Sequence, residues 1–197
     1  MQLRIFLFIL IFAVFSFESV FASNELTKKS FSWLNLGLGG IGIESAGGAA
    51  LGFSVVVDYT KRYSDYAYSF RSIGGAALFK PDEVSEFSFL INKIFEYENV
   101  GLLFKGNKEI ISFGLGASII TGIKRGRYIG PANLDNATMA SDYESTPFAT
   151  FGLPIEVKLL LLTAVYDFGL DVIGFGNINP VQSFWGLCLC LRVGKGL

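Results

Sequence analysis

The run Trp185-Gly186-Leu187-Cys188-Leu189-Cys190-Leu191-Arg192-Val193 decides the fold class of this chain. Large apolar side chains hold every odd position, and Gly, Cys and Arg hold the even ones. Successive side chains of a strand point to opposite faces, so this run is a strand with one apolar face and one small, mixed face. The pattern recurs upstream. Leu34, Leu36 and Leu38 alternate with Asn35 and Gly37, and Leu51, Phe53, Val55 and Val57 with Gly52, Ser54 and Asp58. Tyr66, Tyr68 and Phe70 alternate with Ala67, Ser69 and Arg71, and Ile111, Phe113, Leu115 and Ile119 with Ser112, Gly114 and Ser118. Phe151, Leu153, Ile155, Val157 and Leu159 alternate with Gly152, Pro154, Glu156 and Lys158, and Tyr166, Phe168, Leu170 and Val172 with Asp167, Gly169 and Asp171. A weaker eighth run carries Val100, Leu102 and Phe104.

The apolar faces need an apolar medium. Hydrophobic residues make up 51% of the 197 and charged residues 17%, which is sparse for a surface that meets water. The opposite faces are mostly Gly, Ser and Ala with isolated charges, which suits the lumen of a narrow barrel. Several runs have the length of about 9–11 residues that crosses a bilayer at a tilt. No stretch after residue 22 offers the 18 or so apolar residues of a membrane helix. In hydrocarbon a sheet must close on itself, because every backbone group needs an internal partner. The expected fold is all-β: a closed up-and-down antiparallel transmembrane β-barrel of eight strands, or ten if residues 83–94 hold extra pairing. A secreted soluble lipocalin-like binding barrel, apolar inside, stays open as the alternative.

The spacing of the runs predicts short connections at 60–65, 106–109 and 162–164, and long ones at 78–93 and 123–145. Those at 44–48 and 174–182 are intermediate. Short periplasmic turns alternating with longer outside loops fit an outer-membrane barrel. Trp33, Tyr59, Tyr63, Tyr66, Tyr128 and Trp185 are candidates for interfacial girdles.

Residues 1–22 read as a signal peptide: Arg4, an apolar run from Ile5 to Phe17, then Ser19-Val20-Phe21-Ala22 with small or aliphatic residues at the −3 and −1 positions. Residues 23–197 then form the barrel domain. The expected location is the bacterial outer membrane, reached through its assembly machinery.

Candidate sites are few. Histidine is absent, which removes the Ser–His–Asp triad, the Cys–His pair and His-ligated zinc. A net charge of −1 gives no basic surface for nucleic acid. Asp58, Arg71, Glu156, Lys158, Asp167, Asp171 and Arg192 fall on lumen faces and are expected to form a charge network there. Asp167 and Asp171 lie about 13 Å apart along a strand, beyond the reach of a carboxylate dyad. Lys124, Arg125 and Arg127 form the one dense basic cluster, able to grip lipopolysaccharide phosphates. Gly37-Leu38-Gly39-Gly40-Ile41-Gly42 matches the dinucleotide fingerprint in letters only, since no helix signal follows. Cys188 and Cys190 share one strand face about 6.5–7 Å apart, at or beyond the span of a disulfide, and read as two lumen thiols. No cofactor, metal or catalytic group is expected.

The stretches Gly122-Ile123-Lys124-Arg125-Gly126-Arg127-Tyr128, Phe151-Gly152-Leu153-Pro154-Ile155-Glu156 and Phe175-Gly176-Asn177-Ile178-Asn179-Pro180, with Ser183-Phe184-Trp185-Gly186-Leu187, carry a resemblance. The C-terminal half, from about Gly114 to Lys195, resembles small outer-membrane β-barrel proteins of Gram-negative bacteria, and the whole chain is similar to the eight-stranded A-type and X-type barrels. Barrels of that family often end in an aromatic residue, where this chain has Gly194-Lys195-Gly196-Leu197. The resemblance implies a barrel and transfers no activity. The expected role is structural or surface-interacting, without catalysis, and a narrow channel is the alternative.

Overall fold

The computed structural model describes residues 31–45, 48–63, 65–78, 82–98, 108–128, 143–162 and 168–195. Among them are eight strands: β1 (Phe31–Ser45), β2 (Gly48–Tyr63), β3 (Tyr66–Ala77), β4 (Glu83–Glu98), β5 (Lys108–Tyr128), β6 (Tyr143–Leu162), β7 (Phe168–Ile178) and β8 (Phe184–Lys195). Each pairs antiparallel with its neighbours in sequence, and β8 pairs with β1 to close the barrel.

The register fixes the barrel's dimensions. Following partners from Ser32 through Lys61, Tyr68, Ile91, Leu115, Ile155, Gly176 and Trp185 returns to β1 at Gly42, ten residues further along. With eight strands, that stagger sets a strand tilt of about 40° and a backbone radius of about 8 Å. Ten residues of such a strand rise roughly 25 Å, the height of an outer-membrane apolar band.

The facing follows the alternation. Leu187 is 60% exposed and Leu189 57%, while Ser112 is 4% exposed and Glu156 1%. Leu36, Phe53, Phe89, Phe113, Leu153 and Ile155 stand outside with them. The wall is apolar outward, unlike the wet exterior of a soluble lipocalin-like barrel.

Three expectations need correction. The fourth strand is β4, which begins inside the expected long loop at 78–93 and runs on to Glu98; the weak run at 98–105 falls mostly outside the described residues. The reason is visible in the burial. Val84, Leu90 and Ile94 point inward while Phe87, Phe89 and Ile91 point outward, so apolar residues on both faces hide the period of two. Second, short and long connections do not alternate cleanly. Residues 46–47 and 64–65 join β1–β2 and β2–β3, residues 99–107 join β4–β5, and the longest connection, 129–142, joins β5 and β6. Third, Trp33 belongs to no girdle: it is buried inside, packed with Ala67, Ile94, Ile110 and Leu160. Tyr63, Tyr66 and Trp185 are exposed on the outer wall. Lys61 and Lys93 lie over the Tyr63 and Tyr66 rings at 5.5 and 4.3 Å.

Pro154 shows how the wall tolerates an imino acid in mid-strand. The β5–β6 ladder runs to Leu115↔Ile155 and resumes at Ser118↔Gly152 in the same register. The residue without an N–H sits in the gap.

The lumen is not simply small and polar. Ile41, Ile43, Val56, Ile73, Ile120, Ile173, Phe175 and Phe184 pack with Cys188 and Cys190 into an apolar plug towards the loop end. A second, smaller cluster around Trp33 fills the end where β1 begins and β8 ends. Gly186 illustrates how tight the larger plug is. A Cβ there would overlap the Gly40 carbonyl oxygen and the Phe175 ring, although the sequence pattern alone predicts only a mild clash in the lumen. Gly186→Ala is expected to cost about 1–3 kcal/mol, the range of core overpacking, read as a lower urea midpoint of the folded barrel. An unchanged midpoint would show that the plug yields.

Candidate functional site: an ionic layer across the lumen

Between the two apolar clusters lies a layer of buried charge. Lys158 of β6 reaches across to Asp58 of β2, its Nζ donating to Oδ2 at 2.7 Å. β2 and β6 are four strands apart in a ring of eight, so this pair spans the diameter. Lys158 Nζ also meets Glu156 Oε1 at 2.9 Å, Thr60 Oγ1 at 3.1 Å and Ser69 Oγ at 3.2 Å. Arg71 of β3 forks: Nη1 donates to Glu156 Oε2 at 3.0 Å and Nη2 to Glu86 Oε1 at 2.6 Å. Its guanidinium lies 5.8 Å from the Phe175 ring centroid. Asn177 Nδ2 donates to Glu86 Oε2 and Ser118 Oγ, and Asn35 Nδ2 to Asp58 Oδ2. Arg192 pairs with Asp171 at 3.2 Å.

All of these charged side chains are buried. A buried charge is tolerable only when paired and hydrogen-bonded, and two of the pairs here, Lys158–Asp58 and Arg71–Glu156, join strands distant in sequence. The layer therefore ties opposite walls together. A lumen hollow beside Trp33, Thr60, Asn92 and Lys158 has about 10 Å³ of room, space for one water at most. A larger hollow of about 590 Å³ lies at the loop-end rim, where Ile155, Ile178 and Trp185 of the outer face meet Glu44 and Ala49.

The structure thus places Asp58, Arg71, Glu156 and Lys158 in one connected group, with Arg192 on Asp171 beside it. Asp167 lies outside the described residues. Sequence reasoning missed Glu86, Arg71's shortest partner, because β4 was read as loop. It also missed the neutral members Asn35, Thr60, Ser69, Asn92 and Asn177. Their signal was present: each is a polar residue at an inward position of its strand.

Lys124 and Arg125 of the basic cluster make contacts with different partners. Lys124 Nζ donates to the Val181 carbonyl oxygen at 2.9 Å, across to the β7–β8 connection. Strand alternation puts Arg125 on the other face, and its backbone N–H donates to Asp82 Oδ1 at 2.8 Å. Gln182 Nε2 also donates to Asp82 Oδ1, at 3.0 Å. The loop end is thereby latched by contacts among β5, Asp82 and the 179–183 turn. The Arg127 side chain lies outside the described residues.

The glycine-rich stretch 37–42 lies wholly within β1. Gly37 pairs with Cys190 and Gly39 with Cys188. Both cysteines are free and buried, and Cys188 Sγ lies 3.3 Å from Ser54 Oγ. Among the described residues no group of three or more His, Cys, Asp or Glu could hold a metal ion.

No family model matches this chain, and no curated protein matches it. Among solved structures it is similar to the crystal structure of Neisserial surface protein A (NspA), with a TM-score of 0.56 and 13% identity. The match covers 82% of this chain and 96% of that one. At that identity the likeness speaks for the fold: a closed eight-stranded antiparallel barrel.

Proposed function

We propose that the protein is an outer-membrane barrel with a structural or surface-interaction role, its lumen closed to solutes. Residues 1–22 act as the export signal and are removed. The chain termini face the periplasm and the β5–β6 hairpin faces outward. The Lys158–Asp58 pair across the full lumen, inside a wall that is apolar outward, is the observation that carries this reading. A small barrel whose interior is filled by side chains leaves no aqueous path. The outer wall supplies the bilayer contact, and Tyr63, Tyr66, Lys61 and Lys93 suit the phosphate level of the inner leaflet. Lys124, Arg125 and Arg127, near the base of the long connection, supply the positive charge for lipopolysaccharide phosphates.

Protein extracted from membranes in mild detergent is expected to migrate faster on a gel unheated than boiled. The same sample in a planar bilayer is expected to give no steady conductance. Identical migration in both states would remove the barrel-in-membrane reading. A stable current with an intact band shift would establish the channel instead.

A further inference from the structure

We propose that closure of this barrel is redox-gated: β8 can join β1 only while Cys188 and Cys190 are both unmodified thiols. The two residues sit on the seam that completes the ring, opposite Gly39 and Gly37. They are 1% and 0% exposed. The seam is packed so tightly that a Cβ on Gly37 would overlap Cys190 Sγ, and one on Gly39 would overlap the Leu187 carbonyl oxygen and crowd Cys188 Sγ. Two glycines are what make room for two sulfurs. On the lumen side the thiols pack among the aliphatic side chains of the loop-end plug, and Ser54 Oγ lies against Cys188.

Nothing larger than a thiol fits there. A mixed disulfide would add a second sulfur and its substituent beyond an Sγ that already packs against the opposing glycine and the buried plug side chains, with Ser54 Oγ against Cys188. An internal Cys188–Cys190 bridge fails for a different reason. Residues i and i+2 of an extended strand lie about 6.5–7 Å apart, and a disulfide draws its Cα atoms to about 5.5–6 Å. Bridging therefore bends β8 out of the extended geometry that its pairing with both β1 and β7 requires. The unfolded chain has neither restraint. There, one thiolate can attack oxidised glutathione, forming a protein–glutathione mixed disulfide and releasing one reduced glutathione. The second thiolate can then attack the protein sulfur, closing the bridge and releasing the other glutathione. An exported chain meets such oxidants before it folds. Closure then shields both sulfurs, so the sensitive interval ends when the seam forms.

The test uses the full-length barrel region refolded from urea into detergent micelles. Chain pre-treated with oxidised glutathione is expected to lose the fast-migrating folded band, and added dithiothreitol is expected to restore it. A Cys188→Ser/Cys190→Ala chain is expected to fold equally with and without the oxidant. Equal folding of oxidised and reduced wild-type chain, with modification verified by mass, would overturn the proposal. Should the double variant fail to fold, thiol accessibility in the wild type decides. Folded barrel is expected to resist a maleimide until boiled, and labelling of either cysteine with the band still folded would equally refute a seam closed to substituents. These results are independent of the bilayer conductance, so the lumen reading and the redox reading stand or fall separately.

Discussion

Replacing Arg71 with methionine is expected to cost the barrel about 3–5 kcal/mol, the range for removing one partner from a buried ionic group. The guanidinium bridges Glu86 and Glu156, and both of their side chains are fully buried. After the change Glu156 keeps Lys158, but Glu86 is left with only the Asn177 amide among these contacts. Methionine retains much of the packing against Phe175, so the loss reports charge rather than a cavity. The urea midpoint of the heat-modifiable band, measured in lipid vesicles, checks it. The triple change Arg71→Met, Glu86→Gln, Glu156→Gln is expected to recover a large part of the loss, because no uncompensated carboxylate remains. A loss below about 1 kcal/mol for the single change would mean that water in the lumen solvates both carboxylates, and the idea of a dry ionic plug would fail.

That layer also shows what the sequence could and could not disclose. The facing of seven strands was legible because the outer side chains are large and apolar while the inner ones are Gly, Ser or charged. β8 is the clearest case, with Leu187, Leu189 and Leu191 outside and Cys188, Cys190 and Arg192 inside. β4 was illegible for the same physical reason inverted. Its inner face supplies Val84 and Ile94 to the plugs and buries Leu90 as well, so both faces are apolar and the alternation vanishes. With β4 went Glu86, and with Glu86 the closest partner of Arg71. Individual pairings are beyond a one-dimensional reading: Arg71 has Asp58, Glu156, Asp167 and Asp171 as apparent equals. Only the register and the ten-residue stagger bring Glu156 of β6 within 3.0 Å of Arg71 on β3. Trp33 misled because an aromatic near a strand end reads as a girdle residue. Its position in the alternation, with Asn35 and Gly37, already placed it inside.

The outer wall makes the second large prediction. Leu189 is the central member of the outward row Trp185, Leu187, Leu189, Leu191 and Val193, and it pairs with Leu38 on one side and Val172 on the other. In a bilayer this row crosses the hydrocarbon, so Leu189→Arg puts a guanidinium near the midplane, at a cost of about 2–4 kcal/mol. Val193, at the terminus end of the row, lies near the interface, where the same change costs about 0–1 kcal/mol. The gradient between the two positions is the informative quantity, because in aqueous solution arginine at either exposed site would be nearly neutral. Inward positions cannot serve as the control. Cys190 is as close to the middle of the strand, but it is fully buried against Gly37, and arginine there would fail through overpacking alone. Vesicle unfolding curves for the two outward variants, with gel mobility confirming that each forms a barrel, supply the comparison. If both positions accept arginine equally, with losses under about 0.5 kcal/mol, the wall does not face acyl chains and its apolar surface needs a protein partner to cover it.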